Sequence, residues 1–243
     1  MSNNYGPKIV TDGLVLCLDA ADQNSYSGSG NTWTDLSGNG NNGTLINGPT
    51  FTSENYGSII FDGSNDYINC GTPTSLQFGT GSFSISQWFY VASGNLLKVT
   101  ASKLQSAGWW LALDNRYNDN TEGIGFSVNS QLYSSSYHAR GTTSDFKYNI
   151  NQWNNVVAVW DGINKNMLIY LNNVLTTTTQ TQGGGIAGIT NTDSSTNNII
   201  GAYTNGASFN FNGKISQTMI YNKVLTASEV SQNYQATKGR FGL

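Results

Sequence analysis

Short runs of apolar and β-branched residues recur along the whole chain, separated by clusters of Gly, Asn and Ser. Strict alternation marks Phe83–Val91. One face of this segment carries apolar side chains: Phe83, Ile85, Phe89 and Val91. The opposite face carries Ser84, Ser86, Trp88 and Tyr90. The other predicted strands are Leu14–Leu18, Ile59–Phe61, Leu96–Ala101, Trp109–Leu113, Ile124–Val128, Trp153–Trp160, Met167–Leu171, Ile199–Ala202 and Phe211–Tyr221. Strands separated by turns rather than by helices predict an all-β, two-sheet antiparallel sandwich.

One helix is predicted near the C-terminus. Thr226 and Glu229 have the spacing of a capping box, in which each side chain satisfies an orphan amide of the first turn. Leu225 and Val230 flank the cap as a hydrophobic staple, and Gly239 is a candidate for the helix end. We expect this short helix to close one edge of the sandwich.

The amino-acid composition limits the kinds of molecule and membrane with which the chain can be expected to interact. The chain has 243 residues with 11 basic and 14 acidic side chains, so its net charge of −3 offers no phosphate-binding face and predicts no nucleic-acid partner. No apolar run reaches the roughly 18 residues that a membrane span needs. The first residues lack the basic and apolar regions of a signal peptide. We predict a single domain over residues 1–243, with its core at about 10–236.

The sequence lacks the residue sets that hydrolytic catalysis requires. His138 is the single histidine, and no Gly-x-Ser-x-Gly elbow occurs. Glycoside hydrolysis needs two facing carboxylates, yet the three glutamates Glu54, Glu122 and Glu229 lie in predicted loops or in the capping box. The chain is therefore predicted not to be an enzyme.

The two cysteines, Cys17 and Cys70, each lie in an apolar or strand-like run. We favour two buried free thiols; a disulfide is the alternative, and it would need an oxidising compartment. Together with His138 they supply too few ligands for zinc.

An acidic turn follows the strand around Ile59–Phe61. Asp62, Asn65 and Asp66 surround Gly63, and such oxygen ligands suit calcium. They equally suit a turn closed by side-chain hydrogen bonds. Two carboxylates are few for a tight site, so the structural turn is the favoured interpretation and no metal or other cofactor is predicted.

Aromatic residues outside the core pattern give the candidate binding site. Alternation places Trp110 with Ala112 and Asp114, on a face that is open to solvent unless a loop or a neighbouring subunit covers it. Tyr133, Tyr137 and His138 lie in a Ser-rich segment that no core pattern claims. Trp110, Tyr133, Tyr137 and His138 are the predicted contacts for a partner, with protein favoured over glycan.

Several blocks resemble the laminin-G-like domains of the concanavalin A-like lectin/glucanase superfamily, in order along residues 10–236. They are Phe61–Ile68, Phe83–Val91, Trp153–Gly162, Met167–Val174 and Phe211–Tyr234, of which the last is the most specific. The blocks Gly13–Asp19 and Trp33–Leu45 and the ending Lys238–Phe241 are similar to those of tailed-phage structural proteins.

This resemblance implies a jelly roll of two antiparallel sheets, of a kind often used to bind glycans or proteins, with calcium in many members. The catalytic acids of the glucanases have no counterpart here. Many relatives also carry an acid after the turn that precedes Ile215, where this chain has Ser216 and Gln217; calcium is less expected as a result.

Two functions follow as hypotheses. The first is a phage virion structural or attachment protein that contacts other virion proteins, copies of itself and cell-surface glycans, and that is made in the host cytoplasm. The alternative is a secreted carbohydrate-binding module or lectin, located outside the cell. The start at Met1 without a signal peptide favours the first.

Overall fold

Two antiparallel sheets form the framework of the protein in the computed structural model. The structure describes residues 7–93, 97–104, 108–114, 123–128, 138–141, 147–176, 178–181, 192–204, 206 and 208–243. In chain order the strands are β1 (Leu14–Asp19), β2 (Thr32–Trp33), β3 (Gly43–Ile46), β4 (Thr50–Thr52), β5 (Ser58–Asp62), β6 (Tyr67–Asn69), β7 (Phe83–Tyr90), β8 (Leu97–Leu104), β9 (Gly108–Asp114), β10 (Ile124–Val128), β11 (His138–Gly141), β12 (Trp153–Asp161), β13 (Asn166–Leu171), β14 (Val174–Leu175), β15 (Thr178–Thr181), β16 (Ile199–Ile200) and β17 (Asn212–Tyr221).

The first sheet has the order β14-β13-β12-β7-β17-β5-β4, and β1 pairs with the C-terminal half of β17. The second sheet has the order β15-β11-β10-β9-β8-β16-β6-β3-β2. Every predicted strand lies in or overlaps an observed one, which confirms the predicted two-sheet jelly-roll sandwich.

The core lies between the sheets and follows the predicted alternation. In β7, Phe83, Ile85 and Phe89 point into the main core, while Trp88 and Tyr90 join an aromatic cluster on the outer face of the same sheet. Across the core, the Phe83 ring meets that of Trp109 at 5.9 Å between centroids. The period of two therefore separates an inter-sheet face from an outer face that other segments cover.

Helix α1 (Ala227–Thr237) begins at the predicted capping box, in which Glu229 N donates to Thr226 Oγ1 and Thr226 N donates to Glu229 Oε2. The α-helix ends at Thr237, two residues before the predicted stop at Gly239, and the chain continues as a 3-10 turn, Lys238–Phe241. The left-handed residue is Gly242, at a φ of 73°.

The helix covers the outer face of the first sheet, and the predicted position at an edge is wrong. Val230 is fully buried in a cluster with Cys17, Val157 and Met219, which lie in one cross-strand row together with Ser86. The side chains of Cys17, Val157 and Met219 are apolar, so burying them under the helix is more favourable than leaving them in water.

Aromatic stacking fixes the C-terminal residues to the same face. The Trp88 ring lies 4.3 Å from that of Phe241 and 5.5 Å from that of Tyr234, between centroids. Its Nε1 donates to Thr237 Oγ1 at 2.8 Å. Phe241 also stacks on Trp153, at 4.6 Å. The last turn of the chain is thereby held at one position on the sheet.

Candidate functional site

An open groove lies where the C-terminal turn meets the loops of the first sheet. We call it the Tyr56 groove; its volume is about 480 Å³, within the range of about 300–1,000 Å³ that is typical of small-molecule sites. Its walls come from three distant parts of the sequence. The lining residues are Ala21, Tyr56, Gln235, Ala236, Gly239 and Arg240.

Tyr56 presents its ring to solvent from a short 3-10 turn. It is 73% exposed and ends the 3-10 turn Glu54–Tyr56 with a left-handed φ of 72°. A non-glycine residue in this region is strained, and such strain is retained where the surroundings enforce it. An exposed aromatic ring is a suitable platform for the apolar face of a ligand.

Gly57, which follows Tyr56, brings this turn close to the sheet. Gly57 has a φ of 143°, and a Cβ there would overlap the Ala20 carbonyl oxygen. Its own carbonyl accepts a hydrogen bond of 2.7 Å from the buried hydroxyl of Ser216. Only glycine fits this close approach, so the backbone beside the Tyr56 ring has little freedom to move.

Asn55 connects the Tyr56 turn to the C-terminal turn. Its Oδ1 accepts from Trp153 Nε1 at 3.1 Å, and its Nδ2 donates to the Arg240 carbonyl at 3.5 Å. Two walls of the groove are thus joined through one side chain, which itself has a left-handed φ of 52°.

Arg240 forms the polar wall and is held by a buried carboxylate. Its Nη1 lies 2.7 Å from both carboxylate oxygens of Asp19, which is 4% exposed. Asp19 also accepts from Gln217 Nε2 at 2.8 Å and from the Ala21 amide at 3.0 Å. Within the described residues, Nε and Nη2 of Arg240 have no acceptor, so these donors remain for a ligand.

An ion pair stands beside the groove. Lys214 Nζ lies 2.6 Å from Glu54 Oε2 and 5.3 Å from the centre of the Tyr90 ring. Hydrogen bonding to Lys214 lowers the pKa of Glu54. Both charges are compensated, so neither adds a net charge near Tyr56.

Of the two alternatives for Trp110, an open face or a covered one, the structure has the covered one, so Trp110 is not available as the predicted contact. Alternation places it correctly with Ala112 and Asp114, but Trp110 is only 3% exposed and packs with Leu97, Val99, Tyr203 and Phe209. A Cβ at Gly125 would stand 2.9 Å from its ring atom Cζ3. The segment around Tyr203 and Phe209 covers this outer face of the second sheet, so Trp110 is a packing residue there.

The other predicted contacts are only partly described. Tyr133 and Tyr137 lie outside the described residues. His138 begins β11 rather than lying in a loop, and its main chain pairs with Ser127, which also pairs with Trp110. Trp110 and His138 therefore share one cross-strand row.

The acidic turn is closed by its own main chain. Asp62 Oδ1 accepts from the Ser64 amide at 2.7 Å, and Asp66 Oδ2 accepts from the Asp62 amide at 3.0 Å. The Ser64 bond lowers the pKa of Asp62, whereas burial raises the pKa of Asp66.

Such a donor set fits calcium poorly, because it has only two carboxylates and each already uses an oxygen to accept a main-chain amide. No group of three or more His, Cys, Asp or Glu residues suited to a metal ion occurs in the part of the chain that is described.

Both cysteines are free and buried, as predicted. Cys17 lies under the helix on the outer face of the first sheet, whereas Cys70 lies in the core between the sheets. Burial raises the pKa of each thiol to about 12. Neither sulfur has the thiolate character that reactive cysteines need.

Tyr56 and Arg240 were not predicted as site residues, although signals for them exist. Tyr56 is an aromatic residue in a loop next to a glycine, outside every period-two run. Arg240 lies in the ending Lys238–Phe241. Their proximity has no local signature, since they are brought together only by the packing of the C-terminal turn on the sheet.

Comparison of sequences identifies one family. A model described as the Concanavalin A-like lectin/glucanases superfamily, of laminin-G type, matches residues 62–231. No curated protein sequence matches the chain. Over the described residues, no helix is both long and apolar enough to cross a bilayer.

Solved structures share the fold at low sequence identity. The binding domain of Paraclostridial Mosquitocidal Protein 1 has a TM-score of 0.70 and 17% identity, covering 92% of this chain and 52% of its own. Domain 4 of AbnA, a GH43 extracellular arabinanase from Geobacillus stearothermophilus solved in complex with arabinotriose, has a TM-score of 0.66 and 19% identity, covering 91% and 98%. The Botulinum Neurotoxin serotype G binding domain has a TM-score of 0.62 and 18% identity, covering 91% and 50%. The chain thus spans about half the length of the two toxin domains.

Proposed function

Because the chain belongs to the concanavalin A-like lectin/glucanases superfamily, we propose that it is a non-catalytic domain that binds glycans in the Tyr56 groove. The observation that carries this proposal is the exposed Tyr56 ring, which lines the same groove as the free donors of Arg240. Sugars present apolar faces to aromatic rings and hydroxyl groups to hydrogen-bonding side chains. The groove offers both within one small volume.

The similar structures support a binding role. Two of them are binding domains of toxins, and the third is a domain of an arabinanase in complex with arabinotriose. At this level of identity the likeness concerns the fold, which hosts many functions. The groove is therefore the reason to propose glycan rather than protein as the ligand.

The glutamates support a role without catalysis. Glycoside hydrolysis requires two carboxyl groups about 5 to 9.5 Å apart across the scissile bond. Glu54 is paired with Lys214, and Glu229 serves the capping box and also pairs with Lys223 at 2.7 Å. Each has a structural partner; Glu122 lies outside the described residues.

A glycan array tests this proposal directly. The wild-type chain is expected to bind a defined subset of glycans, and Tyr56→Ala should weaken that binding roughly tenfold or more, as loss of a central aromatic anchor does. Ile163→Ala is the matched control, because Ile163 is 84% exposed and lies outside the groove. Absence of binding by the wild type, or equal binding by Tyr56→Ala, contradicts the proposal.

As a second function we propose that the domain is carried by a phage virion, where it contacts other virion proteins or copies of itself. The similarity of Gly13–Asp19, Trp33–Leu45 and Lys238–Phe241 to tailed-phage structural proteins supports this location. The chain also has few charged residues, which suits packing against neighbours in a virion lattice. Glycan binding would then serve attachment to a host; in a secreted lectin, the alternative location, it would act outside the cell.

Mass spectrometry of purified particles tests the virion proposal. Peptides of the chain should copurify with infectious particles at a fixed stoichiometry. Recovery of the chain only from the medium, free of particles, contradicts the virion location and favours the secreted lectin.

A further inference from the structure

We infer that the Tyr56 groove selects uncharged glycans and that Asp19 sets this preference. The inference rests on the proposed function and deepens it, since it assigns the chemical class of the ligand and the residue that decides it. It follows from the charges around the groove and from the donors that remain free.

Arg240 alone would favour a carboxylate, because its guanidinium matches a carboxylate in geometry and charge. Here an internal carboxylate already compensates that charge. Asp19 contacts Arg240 Nη1 with both oxygens at 2.7 Å, and its own side chain is almost fully buried. A glycan acid entering the groove would meet a cation that is already neutralised.

Asp19 is also prevented from moving away. Gln217 and the Ala21 amide both donate to it, and its own amide donates to Ser25 Oγ at 3.1 Å. The negative charge of Asp19 therefore stays beside Arg240 and offsets its attraction for an incoming acid. The groove therefore offers an acid no net positive charge, although an arginine lines it.

The remaining groups suit hydroxyl groups. Nε and Nη2 of Arg240 have no partner among the described residues, and Gln235 is exposed in the same wall. An amide side chain both donates and accepts, as a sugar hydroxyl does. With the Tyr56 ring these groups match an uncharged ring that presents one apolar face and several hydroxyl groups.

An array of matched glycans tests the inference. It carries neutral oligosaccharides together with their counterparts oxidised to uronic acids and their sialylated counterparts. The wild type should prefer the neutral members. Asp19→Asn keeps the shape and the acceptor for Ala21 but frees the charge of Arg240, so it should raise the ratio of acidic to neutral binding roughly tenfold, equivalent to about 1.4 kcal/mol.

Salt dependence of the wild type provides a measurement that needs no variant. Binding of a neutral glycan should change less than about twofold between roughly 50 mM and 500 mM salt, because screening acts on exposed charges. A steep loss of binding with salt contradicts the inference.

The outcomes separate the two proposals. Binding that Tyr56→Ala removes, but that prefers acidic glycans or keeps its preference in folded Asp19→Asn, overturns the inference and leaves the proposed function standing. No glycan binding by the wild type, or binding that Tyr56→Ala leaves unchanged, overturns both. Neutral preference in the wild type with a shift toward acids in Asp19→Asn supports both.

Discussion

Arg240 donates from one nitrogen to both carboxylate oxygens of Asp19, and so joins the last turn of the chain to the end of its first strand. The same carboxylate accepts from Gln217 in the neighbouring strand. The sequence resemblance leads one to expect an acid at 216 or 217. Residue 217 is a glutamine and donates to the carboxylate of Asp19. An acid at this position would instead repel that carboxylate.

Gln217→Glu should destabilise the domain. It replaces a buried donor with a second carboxylate beside Asp19, and a lost partner of a buried charged group costs about 1–3 kcal/mol or more. Urea unfolding at pH 7 measures the loss. Gln235→Glu is the matched control, since Gln235 is exposed in the groove and the change should stay within about 0.5 kcal/mol. Equal stability of both variants would show that Gln217 does not support Asp19.

Trp110→Ala should also destabilise, by about 3–5 kcal/mol, as truncation of a buried aromatic residue does. Gly125→Ala should be destabilising in the wild type, because its Cβ would press on the Trp110 ring, and less destabilising once that ring is gone and only the contact with Asp114 Cβ at 3.2 Å remains. A double-mutant cycle by chemical denaturation measures this coupling. Additive effects would mean that Trp110 does not pack against Gly125.

The two acids of the turn should respond oppositely to neutralisation. Burial raises the pKa of Asp66 above 3.8, so its contribution to stability is present in acid and is lost as the pH rises through that raised pKa. Asp66→Asn, which keeps an acceptor for the Asp62 amide, should equal or exceed the wild type in stability at pH 7. The difference should close below pH 3.8.

Asp62→Asn serves as the comparison. Its pKa is lowered from 3.8 by the Ser64 amide, so the ionised form stabilises the fold above that pH and this contribution is lost as the pH falls through the lowered pKa. The variant should be less stable than the wild type at pH 7. If Asp66→Asn loses stability instead, the buried charge has a partner that requires it.

Calcium should have little effect on stability. The carboxylates of Asp62 and Asp66 are engaged by main-chain amides and supply little charge for a cation. Thermal unfolding with added calcium and with a chelator should give midpoints that agree within a few degrees. A large decrease with the chelator would identify a structural calcium site.

The two thiols should be unreactive in the folded chain. With pKa values raised to about 12 by burial, Cys17 and Cys70 carry almost no thiolate at pH 8. Alkylation followed by mass spectrometry should find no adduct on the native protein and two adducts after unfolding without reductant. Missing adducts in the unfolded sample would reveal a disulfide.

Local patterns account for the strands and the start of the helix. The alternation in Phe83–Val91 places each side chain on its observed face, and Thr226 with Glu229 forms the capping box. Each depends on neighbours in sequence, where sterics and hydrogen bonding act at short range. Such features are predictable from one chain.

Coverage of the outer faces was not predictable in this way. Trp110 is on the expected face of its strand, yet Tyr203 and Phe209 cover it. The helix lies on the face of the first sheet because Val230 meets an apolar cross-strand row that only the register reveals. The Tyr56 groove has the same origin, since Tyr56 and Arg240 belong to distant segments. Alternation predicts the face of a strand on which a residue lies, but not which residues of other segments pack against it.

The groove has a consequence for how the domain unfolds. Its walls join Ala21 to Arg240, more than 200 positions apart, so they separate as soon as the C-terminal turn detaches from the sheet. A ligand bound there would hold the segment at Ala21 and the C-terminal turn together. At a concentration of 100 times its Kd it would add about 2.7 kcal/mol to the free energy of unfolding, and detachment of the turn would have to wait for its release. A glycan on a target surface would thus slow the unfolding of the domain that holds it.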